Sequence, residues 1–178
     1  MTESEASIRW NLERISELLQ GTKVVSIKGG TYESWEDILL SHLPDSIEEV
    51  EIYDRFIRNV YQFKSLEMLL DAVGQKAAKG GMSVRITTTA SPTSEGYERI
   101  QNDFKRIQED YAKRGVQIEY RILEPDKTLP HFRRIIIKSK NGNSTIWLDR
   151  GIDIFRFEAL KPPKFITLDS YIVIETGS

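Results

Sequence analysis

The residues with the most chemical potential lie in His131-Phe132-Arg133 and, across Asn141-Gly142, in Asp149-Arg150-Gly151-Ile152-Asp153. Side chains two apart on a β-strand project from one face, so His131 and Arg133 are expected side by side. An imidazole so placed can attack phosphorus or protonate a leaving group while the guanidinium neutralises phosphate oxygens. The same three residues also suit a solvated strand end. Arg150 would add a second bidentate phosphate contact, and Asp149 and Asp153 bracket Gly151, where the backbone can take a conformation other residues avoid. A second cluster, Tyr53-Asp54-Arg55-Phe56-Ile57-Arg58, ends a predicted strand, and ligand groups collect at such carboxyl ends in parallel α/β sheets. Asp54 and Arg58 either line the same cleft as His131 or form a local ion pair on a loop. The other histidine, His42, stands near a helix end before Pro44 and reads as structural. Trp10, Trp35 and Trp147 read as core or interface anchors, since none is interleaved with a basic run.

Composition narrows the classes. With 27 acidic against 25 basic residues the net charge is −2, so no overall basic field holds nucleic acid or an anionic membrane, and any polyanion site must be local. The chain has no cysteine, which excludes disulfides, thiol catalysis and cysteine zinc sites. Two histidines cannot build a histidine-rich centre, so no metal and no cofactor is expected. The start, Met1-Thr-Glu-Ser-Glu-Ala, is acidic and lacks an apolar run, and no apolar segment approaches the span of a bilayer. A cytoplasmic protein is expected, with any membrane contact peripheral.

The elements that must position these residues follow from periodicity. Ile8, Leu12, Ile15 and Leu19 predict a short amphipathic helix that Gly21 stops, a separate N-terminal helix or linker over residues 1–21 before a domain at 22–178. Strands are expected at Lys23 to Ile27, Glu49 to Tyr53, Met82 to Thr88, Val116 to Leu123, Phe132 to Ser139 and Ser144 to Leu148, with the last two joined as a hairpin at Asn141-Gly142. A final strand is expected over Phe165 to Glu175. Helices are expected at Ser34 to Leu43, with Ser34 as N-cap, at about Tyr61 to Lys79, and from Tyr97 through Ile100, Phe104, Ile107 and Tyr111 to a Gly115 cap. Strands separated by helices of ten or more residues imply an α/β fold, a mixed, mostly parallel sheet with helices on both faces and hairpin strands near one end.

In chain order, Gly30-Thr-Tyr-Glu-Ser-Trp-Glu-Asp-Ile-Leu, Val50-Glu-Ile-Tyr-Asp54-Arg-Phe-Ile-Arg58, His131-Phe-Arg133-Arg-Ile, Asn141-Gly142 and Arg150-Gly-Ile-Asp153-Ile-Phe155 resemble the C-terminal domain of MIT-domain proteins of the membrane-trafficking and cytokinesis machinery. That domain has a phospholipase D-like fold. The resemblance covers about residues 24 to 158. It implies an α/β sandwich around a mixed sheet, a homodimer, and binding of acidic phospholipid headgroups. The full phospholipase D pattern asks for lysine two residues after the histidine and an acidic residue five beyond it, where this chain has Arg133 and Lys138. The helical MIT bundle that precedes the domain in the trafficking proteins does not fit into the first 21 residues, and the chain reads as a stand-alone relative or as a module of a longer protein.

The leading expectation is a non-catalytic module that takes a phosphate-bearing ligand, a lipid headgroup or a nucleic-acid backbone, through His131, Arg133, Arg150 and Arg58, with Asp54 and Asp153 orienting the arginines. The alternative is a dimeric phosphodiesterase or nuclease with one His131 from each chain in a shared site. A third reading is a scaffold whose helix at Ile8 to Leu19 docks on a partner or covers the domain's own sheet.

Overall fold

Two helical crossovers organise the centre of the fold. The computed structural model describes residues 21–90, 94–124, 133–158 and 164–177; the predicted helix at Ile8 to Leu19, Trp10 and His131 lie outside the described residues. Strand β2 (Ile47–Tyr53) leads through helix α2 (Val60–Gly74) to β3 (Met82–Thr89), which leads through α3 (Ser94–Ala112) to β4 (Val116–Leu123). A crossover of this length returns the chain in its original direction, so β2, β3 and β4 pair in parallel. Among the described residues beyond β4 there is no such crossover. Strands β5 (Arg133–Ser139) and β6 (Gly142–Leu148) form a hairpin, and β9 (Ser170–Gly177) and β1 (Thr22–Ile27) extend it, all antiparallel. The order is β1-β9-β6-β5-β2-β3-β4.

The sheet is therefore mixed and the fold α/β, but the expectation of a mostly parallel sheet is corrected. Four of its six ladders are antiparallel, because among the described residues only two connections are helices long enough to reverse the path. Two further differences share one cause, pairing that local periodicity does not report. Helix α2 stops at Gly74 rather than continuing to Lys79 because the next residues pair with β2: the Ile47 amide donates to the Lys76 carbonyl, and the Ala78 amide donates to the Ile47 carbonyl. The expected last strand is split at Leu168-Asp169 into β8 (Lys164–Thr167) and β9, and β8 pairs with β7 (Phe155–Glu158) in a separate ladder.

Alternation along the strands separates two faces. Val50, Ile52, Val84, Ile86, Ile118, Ile135, Ile137, Ile146, Ile172 and Ile174 point to the buried face. Against it lie α2, with Phe63, Leu66, Leu69, Leu70 and Val73, and α3, with Ile100, Phe104 and Ile107. Phe104 meets Phe63 edge-on at 4.9 Å and stacks on Tyr120 of β4 at 4.7 Å. The short helix α1 (Trp35–Leu39) is capped by Ser34, whose hydroxyl accepts from the Asp37 amide, as its sequence predicts, and it packs on α2. Trp35 is fully buried, as a core anchor should be. The opposite face carries an ion-pair ladder over β2, β3 and β5, in which Lys138 and Arg85 pair with Glu49 and Glu51.

Candidate functional site

Pairing register brings distant segments to one end of the sheet. Tyr53 at the carboxyl end of β2 pairs with Arg134 at the start of β5, and Arg133 pairs with Leu148 at the end of β6. The loop after β2, the end of β3, the start of β5 and the turn after β6 therefore share one edge. These hold Asp54 and Arg58, Thr88 and Thr89, Arg133, and Asp149 to Asp153, respectively.

Asp54 is the hub. Its carboxylate is buried, with Oδ1 accepting from the Phe56 amide at 2.9 Å and Oδ2 from the Ile152 amide at 2.7 Å. One side chain thus ties the loop after β2 to the turn after β6. Burial pushes its pKa above the usual carboxylate value; the two amide donors and the Arg133 charge oppose that rise, and Asp153 adds to it. Gly151 makes the close approach possible. It has a φ of +64°, and a Cβ there would overlap the Asp54 carboxylate and lie 2.6 Å from Cδ of Arg133. Behind the turn, the Trp35 indole donates to the Ser65 hydroxyl, which donates to the Ile152 carbonyl at 2.5 Å, so α1 and α2 both hold it.

Two guanidinium groups converge on one ring. The Arg133 guanidinium lies 4.8 Å from the centroid of Phe56 and that of Arg58 lies 5.2 Å from it. Arg58 is further held by the end of β3, where its Nη2 donates to the Thr89 hydroxyl at 2.9 Å and its Nε to the Thr89 carbonyl. The Thr89 hydroxyl in turn donates to the Arg55 carbonyl, and the Thr88 hydroxyl accepts from the Ile57 amide. Among the described residues Arg133 donates to the Asp149 carbonyl at 3.3 Å. A guanidinium carries five N–H donors, so each of these arginines, pre-oriented, keeps donors for an anion. From α3, Arg99 donates to the Arg58 carbonyl and adds a third cation.

The structure brings Asp54, Arg58 and Arg133 together. Arg150, on the same turn, is directed to the Asp169 carbonyl at 2.8 Å, and Asp153 is exposed beside the carboxylate it perturbs. The Asp54 oxygens receive backbone amides, and no ion pair within 4.0 Å joins Asp54 to Arg133 among the described residues. Phe56, Thr88, Thr89 and Arg99 escaped the sequence reading. Three consecutive threonines closing a strand, Thr87-Thr88-Thr89, were a usable signal, since hydroxyls at a carboxyl end can pin the neighbouring loop. His42 lies at the other end of β1, 3.3 Å from Nζ of Lys23, with its pKa lowered by burial and by that cation.

Residues 32–167 match the family described as the phospholipase D-like domain at the C-terminus of MIT. The chain belongs to that family. A comparison with curated proteins gives no match. In this phospholipase D-like domain, position 138 stands five residues from Arg133 along β5, about 16 Å away, and on the opposite face of the sheet. Lys138 there pairs with Glu49 at 2.9 Å, so it belongs to the ion-pair ladder and not to the arginine cluster.

Exposed apolar side chains rim the same end. Val60 is 70% exposed, Tyr61 stacks on Phe157 at 5.6 Å, and Phe157 packs on Phe165 at 5.5 Å. Arg156 and Lys164 flank them in β7 and β8. Among the described residues no helix is long and apolar enough to cross a membrane.

Proposed function

We propose that this domain is a non-catalytic, cytoplasmic module that binds the phosphate of an acidic phospholipid headgroup at a membrane surface. The phosphate is received by Arg133 and Arg58, with His131 two residues before Arg133 and Arg150 at the margin of the cleft. The single observation that carries the reading is the pair of guanidiniums held over Phe56 beside the apolar rim of Val60, Tyr61 and Phe157. A nucleic-acid backbone would use the cations alone. A bilayer also gives the apolar rim a place to go, and Tyr61 an interfacial position for its hydroxyl. The arginine at position 133 in place of lysine, and the lysine at position 138 in place of an acidic residue, support binding without turnover.

The test is sedimentation with liposomes containing phosphatidylserine or phosphoinositide, against neutral liposomes, at moderate salt. Saturable binding to the acidic vesicles is expected, and Arg133→Ala should weaken it by about 1 to 3 kcal/mol, as for a lost charge-assisted bond. Val60→Asp should weaken vesicle binding while leaving binding of a soluble inositol phosphate unchanged. Equal affinity for oligonucleotides and vesicles, insensitive to Val60→Asp, would reassign the ligand to a nucleic-acid backbone. Turnover of a generic phosphodiester that His131→Asn abolishes would replace the binder with the dimeric phosphodiesterase.

A further inference from the structure

Strand β4 stands last in the sheet order and pairs with β3 on one side, so its other side is a row of main-chain donors and acceptors. In a strand the N–H and C=O of one residue point to the same side, and successive residues alternate. The Gly115 carbonyl accepts from the Met82 amide and the Leu123 carbonyl from the Ala90 amide, so the odd-numbered positions face β3. Positions 118, 120 and 122 therefore face outward. Ile118 agrees, because its carbonyl accepts from Nε2 of Gln108 on α3 at 2.6 Å. That bond closes the amino half of the edge. At Tyr120 and Ile122 no hydrogen bond among the described residues meets the outward main chain.

The side chains beside this open half differ by face. Tyr120 and Ile122 lie half-buried against the core, while Arg121, on the other face, is exposed. Glu119 lies 4.0 Å from Arg85, but Arg121 has no ion pair among the described residues. A hollow of about 480 Å³ lined by Tyr53, Arg85, Thr87, Glu119 and Arg121 adjoins the strand on the same face as Arg121. We propose that the edge at Tyr120 and Ile122 takes an extended peptide of a partner protein as an added strand, with an acidic residue against Arg121 between apolar residues against Tyr120 and Ile122. Main-chain bonds supply the affinity of such an added strand, and alternate side chains supply its specificity. The acid meets the one cation of this edge that lacks a counterion among the described residues, and the apolar neighbours complete the cover of two half-buried side chains. A second copy is a poorer occupant. Two-fold antiparallel pairing of β4 with itself sets Glu119 against Arg121, but it also requires Ile118 to pair with Ile122, and the Gln108 carboxamide already fills the outward side of Ile118. A short peptide needs only the open half.

The test uses the full chain and reads amide hydrogen exchange residue by residue by NMR. Without a partner, the Tyr120 and Ile122 amides are expected to exchange at least about a hundred-fold faster than those of Glu119 and Arg121, which face β3. Equal protection at all four means that the edge is already covered, and protection that appears only as concentration rises assigns it to a second copy; either result overturns the proposal. A phage-displayed library of random peptides is then selected against the chain, and the most enriched sequence is synthesised. It should carry an acidic residue between apolar ones and slow exchange at Tyr120 and Ile122. Arg121→Glu, at an exposed position, should weaken its binding by at least about ten-fold, as for a lost charge-assisted bond, and replacing the peptide's acid by lysine should restore binding to that variant. No enrichment, a selected peptide that leaves the two amides fast, or binding indifferent to Arg121→Glu overturns the proposal.

Discussion

Asp54 and Gly151 form one device, a buried carboxylate that receives two backbone amides because the residue beside it has no side chain. Gly151→Ala should displace both the carboxylate and the Arg133 stem and add left-handed strain. We expect a loss of at least about 2 kcal/mol of stability, read by urea denaturation, together with weakened anion binding. Asp54→Asn keeps the shape but presents an NH2 group to one amide donor, at a cost of about 1 to 3 kcal/mol. The pH dependence of that difference has a definite sign. Burial raises the native pKa of Asp54 above the usual 3.8, so the folded state holds the proton to higher pH than the unfolded chain. Its contribution is fully present below 3.8 and is lost as pH rises through the raised native value. The advantage of the natural chain over Asp54→Asn should therefore narrow with rising pH across that window and then level off, and a gap that widens would contradict the assignment.

At the scale of elements, the site depends on α2 and α3 holding the parallel strands in place. Tyr111 of α3 links the two helices, its hydroxyl lying 2.9 Å from the Glu67 carbonyl and 2.7 Å from the Asp71 carboxylate. Burial and that carboxylate push the phenol pKa well up, which keeps the donor protonated. Tyr111→Phe should cost about 1 kcal/mol and lower Tm by about 2 to 4 °C. The proposed binding to acidic vesicles should be unaffected, since the arginine cluster lies at the far end of both helices. The N-cap of α2 serves the site more directly: Asn59 and Gln62 form a reciprocal capping box, and the Gln62 carboxamide oxygen also accepts from the Arg58 amide at 2.8 Å.

For the whole molecule, we expect a homodimer. A self-complementary patch is the commonest way to close a homo-oligomer, and two arginine clusters side by side would double the charge offered to an acidic surface. Light scattering across a concentration series should give twice 20.6 kDa. A mass that stays near 20.6 kDa at high concentration rules the dimer out. With a net charge of −2, the proposed attraction to an acidic membrane would have to come from the arginine-bearing end, so vesicle binding is expected to fall steeply with salt.

The sequence by itself determined the local elements, because period and caps are local properties. Ser34 as the cap of α1, the stripe Ile100, Phe104, Ile107 and Tyr111 of α3, and the hairpin at Asn141-Gly142 are each encoded within a few residues. It also marked the cleft segments at Asp54 to Arg58 and Arg133 to Asp153 and, through five separated motifs, the family. Only the tertiary structure decided what those residues do together. That the Asp54 oxygens are taken by the Phe56 and Ile152 amides, the latter 98 positions on, follows from strand order, which a linear pattern does not carry, and only that order shows what the bare Gly151 makes room for. The same holds for Phe56, an ordinary loop aromatic until pairing of β2 with β5 sets Arg133 against its ring. Helix α2 ends at Gly74, and the last strand breaks at Asp169, for a related reason. Both boundaries are set by hydrogen bonds to segments far away in the chain, and these outweigh the local preference to continue.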